Sequence, residues 1–309
     1  MRWTGVLLVF FGAVMFSTKA ILVKLAFREV QMDAVTLLAL RMLFSMPFFL
    51  GAAFWSKQQG ENKLTTRQWT AVAVLGLLGY YLSSLFDFVG LQYISAGLER
   101  LILFLYPSFV ALINFIWLKQ VLSKRQRWAL LLTYTGLAIA YLGEFQVDQQ
   151  NPNFLLGSFL IFLCSITYAF YIAGSGKMIP QVGVTRFTAY AMLASTFGVW
   201  VHFLLTHSVN ALQFSPAVWR YGILLAVFAT VIPAFMIAAG MKRIGSNNAA
   251  IVSSIGPVST IVQAYFFLGE KMHAGQFIGT VLVVAGVILI GWKGGVRLTK
   301  GEIRQDSRL

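Results

Sequence analysis

The chain has 309 residues, 58% of them apolar and only 11% charged, with a formal net charge of +14. Soluble domains carry about 25% charged residues, and the apolar residues here fall in runs of about 20, the length at which a helix crosses a hydrocarbon core. That pattern excludes a soluble globular fold and predicts an all-α, polytopic integral membrane protein, embedded in the lipid bilayer.

The apolar runs predict ten transmembrane helices, at about 3–26, 33–55, 68–89, 93–118, 126–143, 154–175, 186–206, 218–240, 247–268 and 274–292. The first run begins at once, and Lys19 lies where a leader would be cut, so it reads as a membrane helix. Residues 293–309 form a basic tail. The connections are short and leave no room for a soluble domain. Cys164 is the only cysteine, and His202, His207 and His273 are scattered, so no disulfide, metal site or cofactor is expected.

The basic residues occupy short loops and the tail, which points away from nucleic acid and toward the positive-inside rule. With the N-terminus inside, seventeen Lys and Arg fall on the inner side, from Arg2 through Lys119, Lys124, Arg125 and Arg127 to Arg308. Arg28, Arg220 and Lys271 fall outside, beside Glu144 and Asp148. The expected setting is the cell (inner) membrane, with both termini cytoplasmic.

A shift of 150 positions superposes the chain on itself without a gap. Trp69 falls on Trp219, Gly90 on Gly240, Pro107 on Pro257, Leu118 on Leu268 and Gln126 on Gln276. The reading is two five-helix repeats, 1–145 and 154–292, followed by the tail 293–309. Five helices per unit is an odd number, so the second unit enters the membrane inverted. The charges follow: the basic loop between spans four and five has as its mate Glu270-Lys271, which cancel. Inverted repeats recur in secondary transporters.

Pro107 and Pro257 lie near the middle of spans four and nine. Proline frees the carbonyl four residues earlier, here of Leu103 and Ser253. Such a carbonyl needs a partner or a wet cavity, so the two prolines read either as paired hinges about a central cavity or as static kinks. Pro47 and Pro233 are assigned bends. Gly275, Gly279 and Gly286 on span ten, with Gly76 and Gly79 on span three, permit close helix packing. That packing serves the fold, or, through span ten, a homodimer.

The ten-span, five-plus-five layout, the run Gly97-Leu-Glu-Arg-Leu-Ile-Leu-Phe-Leu-Tyr-Pro107, and Leu268-Gly269-Glu270 followed by Gly275-Gln276 and Gly279 resemble the EamA branch of the drug/metabolite transporter superfamily. The resemblance covers nearly the whole chain. It implies a transporter with cytoplasmic termini, moving small metabolites or drugs, often outward, by alternating access. The first unit departs from the pattern, with Leu118-Lys119-Gln120 where Leu-Gly-Glu is often found.

Charges inside the membrane are costly and tend to pair or to serve function. Lys19, Arg41, Asp87, Glu99 and Arg100 all lie within spans of the first unit, whereas Ala249 and Ala250 stand for Glu99 and Arg100 in the second. Lys19 lines a cavity or snorkels; Arg41 is too deep to snorkel; Asp87 reads as interfacial. Glu99 and Arg100 are about 100° apart on a helix, so they are expected to point apart. Glu99 pairs with Lys19 or Arg41, or serves as a proton-coupling carboxylate. Three cations against two carboxylates suit a small-molecule substrate bearing an anionic group. Tyr168, Ser253 and Gln263 complete the candidate site.

The leading expectation is a secondary transporter that exports an amino-acid-like or organic-acid-like metabolite, or a drug, about a midplane cavity. A lipid or head-group flippase is the alternative. An intramembrane transferase is disfavoured, because no clustered Asp, His or Glu constellation is present. No GxxxxGK[ST] motif supports ATP hydrolysis, so a proton or solute gradient is the default driving force.

Overall fold

A computed structural model describes residues 2–30, 32–58, 64–142, 152–208, 215–269 and 274–291. The basic tail, the acidic loop with Glu144 and Asp148, and Glu270-Lys271 lie outside the described residues. The described chain is helical, with no strand. Its elements are α1 (Arg2–Val30), α2 (Ala34–Gln58), α3 (Thr66–Gly90), α4 (Ala96–Leu103), α5 (Tyr106–Leu118), α6 (Lys124–Leu142), α7 (Phe154–Val182), α8 (Val184–Thr206), α9 (Pro216–Ile244), α10 (Ser246–Val252), α11 (Ile255–Leu268) and α12 (Ala274–Gly291).

Among the described residues, seven helical stretches are long and apolar enough to cross a membrane: α1, α2, α3, α7, α8, α9 and the pair α10–α11, counted together as Ser246–Leu268. The expected spans at 93–118, 126–143 and 274–292 give shorter apolar stretches or more charged helices. The first contributes the shorter apolar helix Tyr106–Trp117, and α6 opens with Lys124, Arg125 and Arg127. Helix is the natural outcome for such runs, because every backbone group must find its partner within the segment when lipid surrounds it.

The 150-residue offset is visible in the backbone. Helices begin at 34 and 184, at 66 and 216, at 96 and 246, and at 124 and 274. The chain breaks at Phe104–Leu105 and again at Ser253–Ser254. Both breaks fall just before a proline, as expected from a residue that lacks an N–H and crowds the preceding turn. At each break tight i→i−3 bonds replace the helical ladder: Leu105 N–H to the Ile102 carbonyl, and Ser254 N–H to the Ile251 carbonyl. The Ser253 carbonyl, expected to be freed, accepts from the Gly256 N–H at 2.9 Å.

Two further correspondences have no mark in the sequence pattern. Wide π-helical turns interrupt α3 at Leu77–Leu82 and α9 at Val227–Val231. The Thr230 hydroxyl spans the second one, donating to the Leu225 carbonyl five residues back. Left-handed residues end α5 and α11, at Lys119 (φ 54°) and Gly269 (φ 73°). Glycine takes that conformation without penalty, whereas the Cβ of lysine crowds the backbone there.

The two halves interlock. Trp69 on α3 packs on Tyr190 of α8 at 4.4 Å between ring centroids, and its mate Trp219 on α9 packs on Phe44 of α2 at 5.1 Å. Glycines permit the closest approaches. A Cβ on Gly76 would lie 2.1 Å from the Ala191 carbonyl oxygen of α8, and one on Gly79 would lie 2.2 Å from the Tyr171 ring of α7. Gly279 on α12 backs onto Gly136 of α6, and Gly275 faces Ile139 of the same helix. The small-residue face of α12 is therefore used within the fold.

Candidate functional site

Along the α4–α5 pair three layers follow one another. Glu99 and Arg100 open it, the break at Phe104–Leu105 lies in the middle, and Asn114 lies near its end. Each layer meets residues from other helices.

The first layer is a buried charge cluster. Lys19 Nζ on α1 lies 2.8 Å from Asp87 Oδ2 on α3. Arg100 Nε lies 3.0 Å from Glu99 Oε2. The Asp87 and Glu99 carboxyls adjoin one another, so the four groups form one assembly. Phe16 completes it: Lys19 Nζ sits 4.7 Å from the ring centroid, Arg100 5.8 Å, and Arg100 Nη2 approaches the Phe16 carbonyl oxygen at 3.5 Å.

This arrangement corrects three expectations. Asp87, expected at the interface, is fully buried within the protein three residues before the end of α3. Lys19 does not snorkel; the α3 carboxylate within reach draws it inward. Glu99 and Arg100 do meet, because their long side chains bend across the 100° between them, so the Glu99 partner closest to hand is its own neighbour and not Lys19 or Arg41. Arg41, 1% exposed, adds a third cation within electrostatic reach of Asp87; its Nη2 donates to Ser84 Oγ at 2.9 Å, and it stacks over Phe88 at 5.0 Å. Arg41 is not on the wall of the central cavity.

The middle layer is that cavity. Its volume is about 30 Å³, room for a water or two. Phe16, Ser17, Arg100, Tyr106, Tyr168 and Ser253 supply the chemistry of its wall, and Ala13, Leu103, Phe104, Ile237, Gly256 and Pro257 close it. Both breaks thus border it, although Pro257 lines it and Pro107 does not. Phe16 and Tyr168 stack at 6.1 Å with 11° between planes, and Tyr106 meets Tyr168 edge-on at 5.1 Å. Ser17 Oγ donates to the Gly256 carbonyl at 3.1 Å, and the Tyr106 hydroxyl donates to the Ala250 carbonyl at 3.1 Å. Of the expected residues, Arg100, Tyr168 and Ser253 lie on the wall, and Lys19 and Glu99 lie behind Arg100 in the charge cluster. Gln263 does not reach it, and its amide donates to Ser259 one turn back on α11.

The third layer is made of amides. Asn114 Nδ2 donates to Ser246 Oγ at 3.0 Å and to Asn247 Oδ1 at 2.6 Å. Gln126 Nε2 donates to Asn248 Oδ1 at 3.0 Å. These bonds tie α5 and α6 to the start of α10. The sequence reading missed them, and missed Ser17 and Tyr106 as well. The available signal was an asparagine inside an otherwise apolar run, opposite the polar run Ser246-Asn247-Asn248. Among the described residues no group of three His, Cys, Asp or Glu lies together that could hold a metal.

A buried charge cluster, a small aromatic cavity with one cation on its wall, and side-chain amide hydrogen bonds at the far end suit the passage of a small solute between two helical halves. The family comparison agrees with that geometry. Residues 3–142 and 155–292 each match the EamA-like transporter family. The chain belongs to that family, within the drug/metabolite transporter superfamily, and is a multi-pass membrane protein. It is similar to the uncharacterized transporter YcbK of Bacillus subtilis (strain 168), with 32% identity over 89% of this chain and 88% of that protein. An uncharacterized transporter of Archaeoglobus fulgidus is 24% identical over 87% of this chain and 91% of its own length. WAT1-related protein At5g07050 of Arabidopsis thaliana is 22% identical over 78% and 68%. A solved crystal structure of a protein superposes with a TM-score of 0.73 over 94% of this chain and 98% of that one, at 17% identity, a likeness of fold alone.

Proposed function

We propose that the chain is a secondary transporter of ten membrane spans, built as two inverted five-helix units, 1–145 and 154–292, that passes a small carboxylate-bearing metabolite through the central cavity by alternating access. The observation that carries this reading is the cavity wall: one cation, Arg100, set among the rings of Phe16, Tyr106 and Tyr168. A guanidinium offers a planar fork to a carboxylate, and the rings offer faces for an apolar or aromatic body. Outward transport is what the family resemblance implies.

The charge distribution supports an N-terminus and tail in the cytoplasm of a cell-membrane protein. In that orientation the ion cluster lies on the outer side of the cavity and the amide layer on the inner side. Passage requires each layer to part in turn, and the breaks before Pro107 and Pro257 supply paired places for the helices to bend. Arg100 is already held by Glu99 at 3.0 Å, so a substrate carboxylate competes with Glu99 for the guanidinium. Loss of the negative charge on Glu99 then strengthens substrate binding.

The test is solute exchange in proteoliposomes loaded with radiolabelled aromatic and aliphatic carboxylates. Saturable counterflow of a carboxylate, without electrical conductance, supports the reading. Steady single-channel conductance, or lipid flipping without solute exchange, overturns it.

A further inference from the structure

We propose that the groove between α5 and α6 binds one anionic phospholipid, its phosphate at Arg127 and one acyl chain lying along α5. This proposal is independent of the substrate reading and rests on a different part of the molecule.

The groove has a volume of about 420 Å³ and is lined by Ser108, Ala111, Leu112 and Phe115 of α5, by the turn that follows, and by Arg127 and Leu130 of α6. The four α5 positions share one helical face, and two of them are small, which hollows the surface. From Ser108 to the end of α5 the groove runs about ten residues, roughly 15 Å, which is half of a hydrocarbon core of about 30 Å. It is therefore one leaflet long. At its deep end the Tyr134 hydroxyl donates to Ser108 Oγ at 2.6 Å, closing the groove beside the break that precedes Pro107.

The mouth of the groove fixes the sign of the ligand. Lys119, Lys124, Arg125 and Arg127 lie within nine positions, and no acidic residue occurs between Arg100 and Glu144. Basic pockets between helices at a membrane surface are sites for anionic head groups. Trp117 and Trp128 lie at the same end of α5 and α6, 63% and 62% exposed, as tryptophans do at the level of the head groups.

At the matching positions of the second unit the sequence lacks the small residues, the arginine and the basic run. At the 150-residue offset Val258 stands for Ser108, Ile261 for Ala111 and Phe277 for Arg127, and the turn carries Glu270 beside Lys271. Two bulkier side chains replace the two that hollow the groove, and a phenyl ring replaces the cation. General solvation by lipid would not call for small residues and a cation at these positions of one unit and for neither at their mates.

The experiment is native mass spectrometry of the full chain in detergent, titrated with dioleoylphosphatidylglycerol or dioleoylphosphatidylcholine. The wild type is expected to retain one phosphatidylglycerol per chain, on the order of tenfold more tightly than phosphatidylcholine, as cations facing one phosphate imply. Arg127→Phe, copying the mate, and Leu112→Trp, filling the groove from its exposed side, each abolish that preference. Arg243→Ala, on the same membrane face but outside the groove, leaves it intact. Equal retention of the two lipids by the wild type overturns the proposal. So does a preference unchanged in Leu112→Trp, or one lost equally in Arg243→Ala. Melting curves of each variant establish that it is folded, and a variant that fails to fold is replaced by Leu130→Trp, judged by the same outcomes.

Discussion

Lys19 and Asp87 join α1 to α3 through a buried ion pair of 2.8 Å, in which neither side chain is more than 3% exposed. Removing one partner leaves the other charged and buried, at a cost of about 3–5 kcal/mol, whereas replacing both with apolar residues of similar size is far less harmful. Lys19→Met and Asp87→Leu are each therefore expected to lower the unfolding midpoint in detergent strongly, and the double variant Lys19→Met/Asp87→Leu to recover most of the loss. The check is a double-mutant cycle of melting curves, in which additive losses would show that the pair is not energetically coupled.

The amide layer should control access to the cavity. Asn114→Ala removes the hydrogen bonds to Ser246 and Asn247, each worth about 0.5–1.5 kcal/mol. Cys164 is the only cysteine, so Cys164→Ser gives a background in which Ser253→Cys reports on the cavity wall. Labelling of that cysteine by a membrane-impermeant maleimide, applied from the Asn114 side, is expected to rise about tenfold when Asn114→Ala is added. An unchanged rate would mean that the amides do not hold this end closed.

Lys119 carries a left-handed backbone (φ 54°) at the position where the second unit has Gly269. The clash between Cβ and carbonyl in that region costs roughly 1–2 kcal/mol. Lys119→Gly should thus stabilise the fold by about 1 kcal/mol, seen as a raised melting temperature. Gly269→Ala should lower it by a comparable amount, although a Cβ there meets no neighbour within 4 Å, so the loss would be a pure backbone effect.

The fold was legible wherever a residue type dictates backbone geometry. Pro107 and Pro257 marked both helix breaks, and the self-match of Trp69 with Trp219 anticipated helix starts that recur 150 residues apart. The π-helical turns at Leu77 and Val227 were not legible, because they follow from helix packing and no single residue type demands them. The charged site was half legible. Burial costs drew attention to Lys19, Arg41, Glu99 and Arg100, but which carboxylate meets which cation depends on how α1, α2 and α3 rotate against one another. Periodicity does not give that rotation. For the same reason Arg41, which shares its helix with no acidic residue, was expected at the cavity and lies instead on Ser84 and Phe88.

In the function proposed above, Arg100 and the rings beside it hold a substrate carboxylate in competition with Glu99. The most direct measurement is the ligand-induced rise in melting temperature across a panel of amino acids, organic acids, nucleobases and cationic drugs. It would be made on the wild type, on Glu99→Gln, and on the double variant Glu99→Gln/Arg100→Gln, which leaves no unpaired charge behind. The account predicts a hit among carboxylates with an apolar or aromatic body, a larger shift in Glu99→Gln, and none in the double variant. A hit confined to cationic drugs, or a carboxylate hit that survives in the double variant, would contradict it.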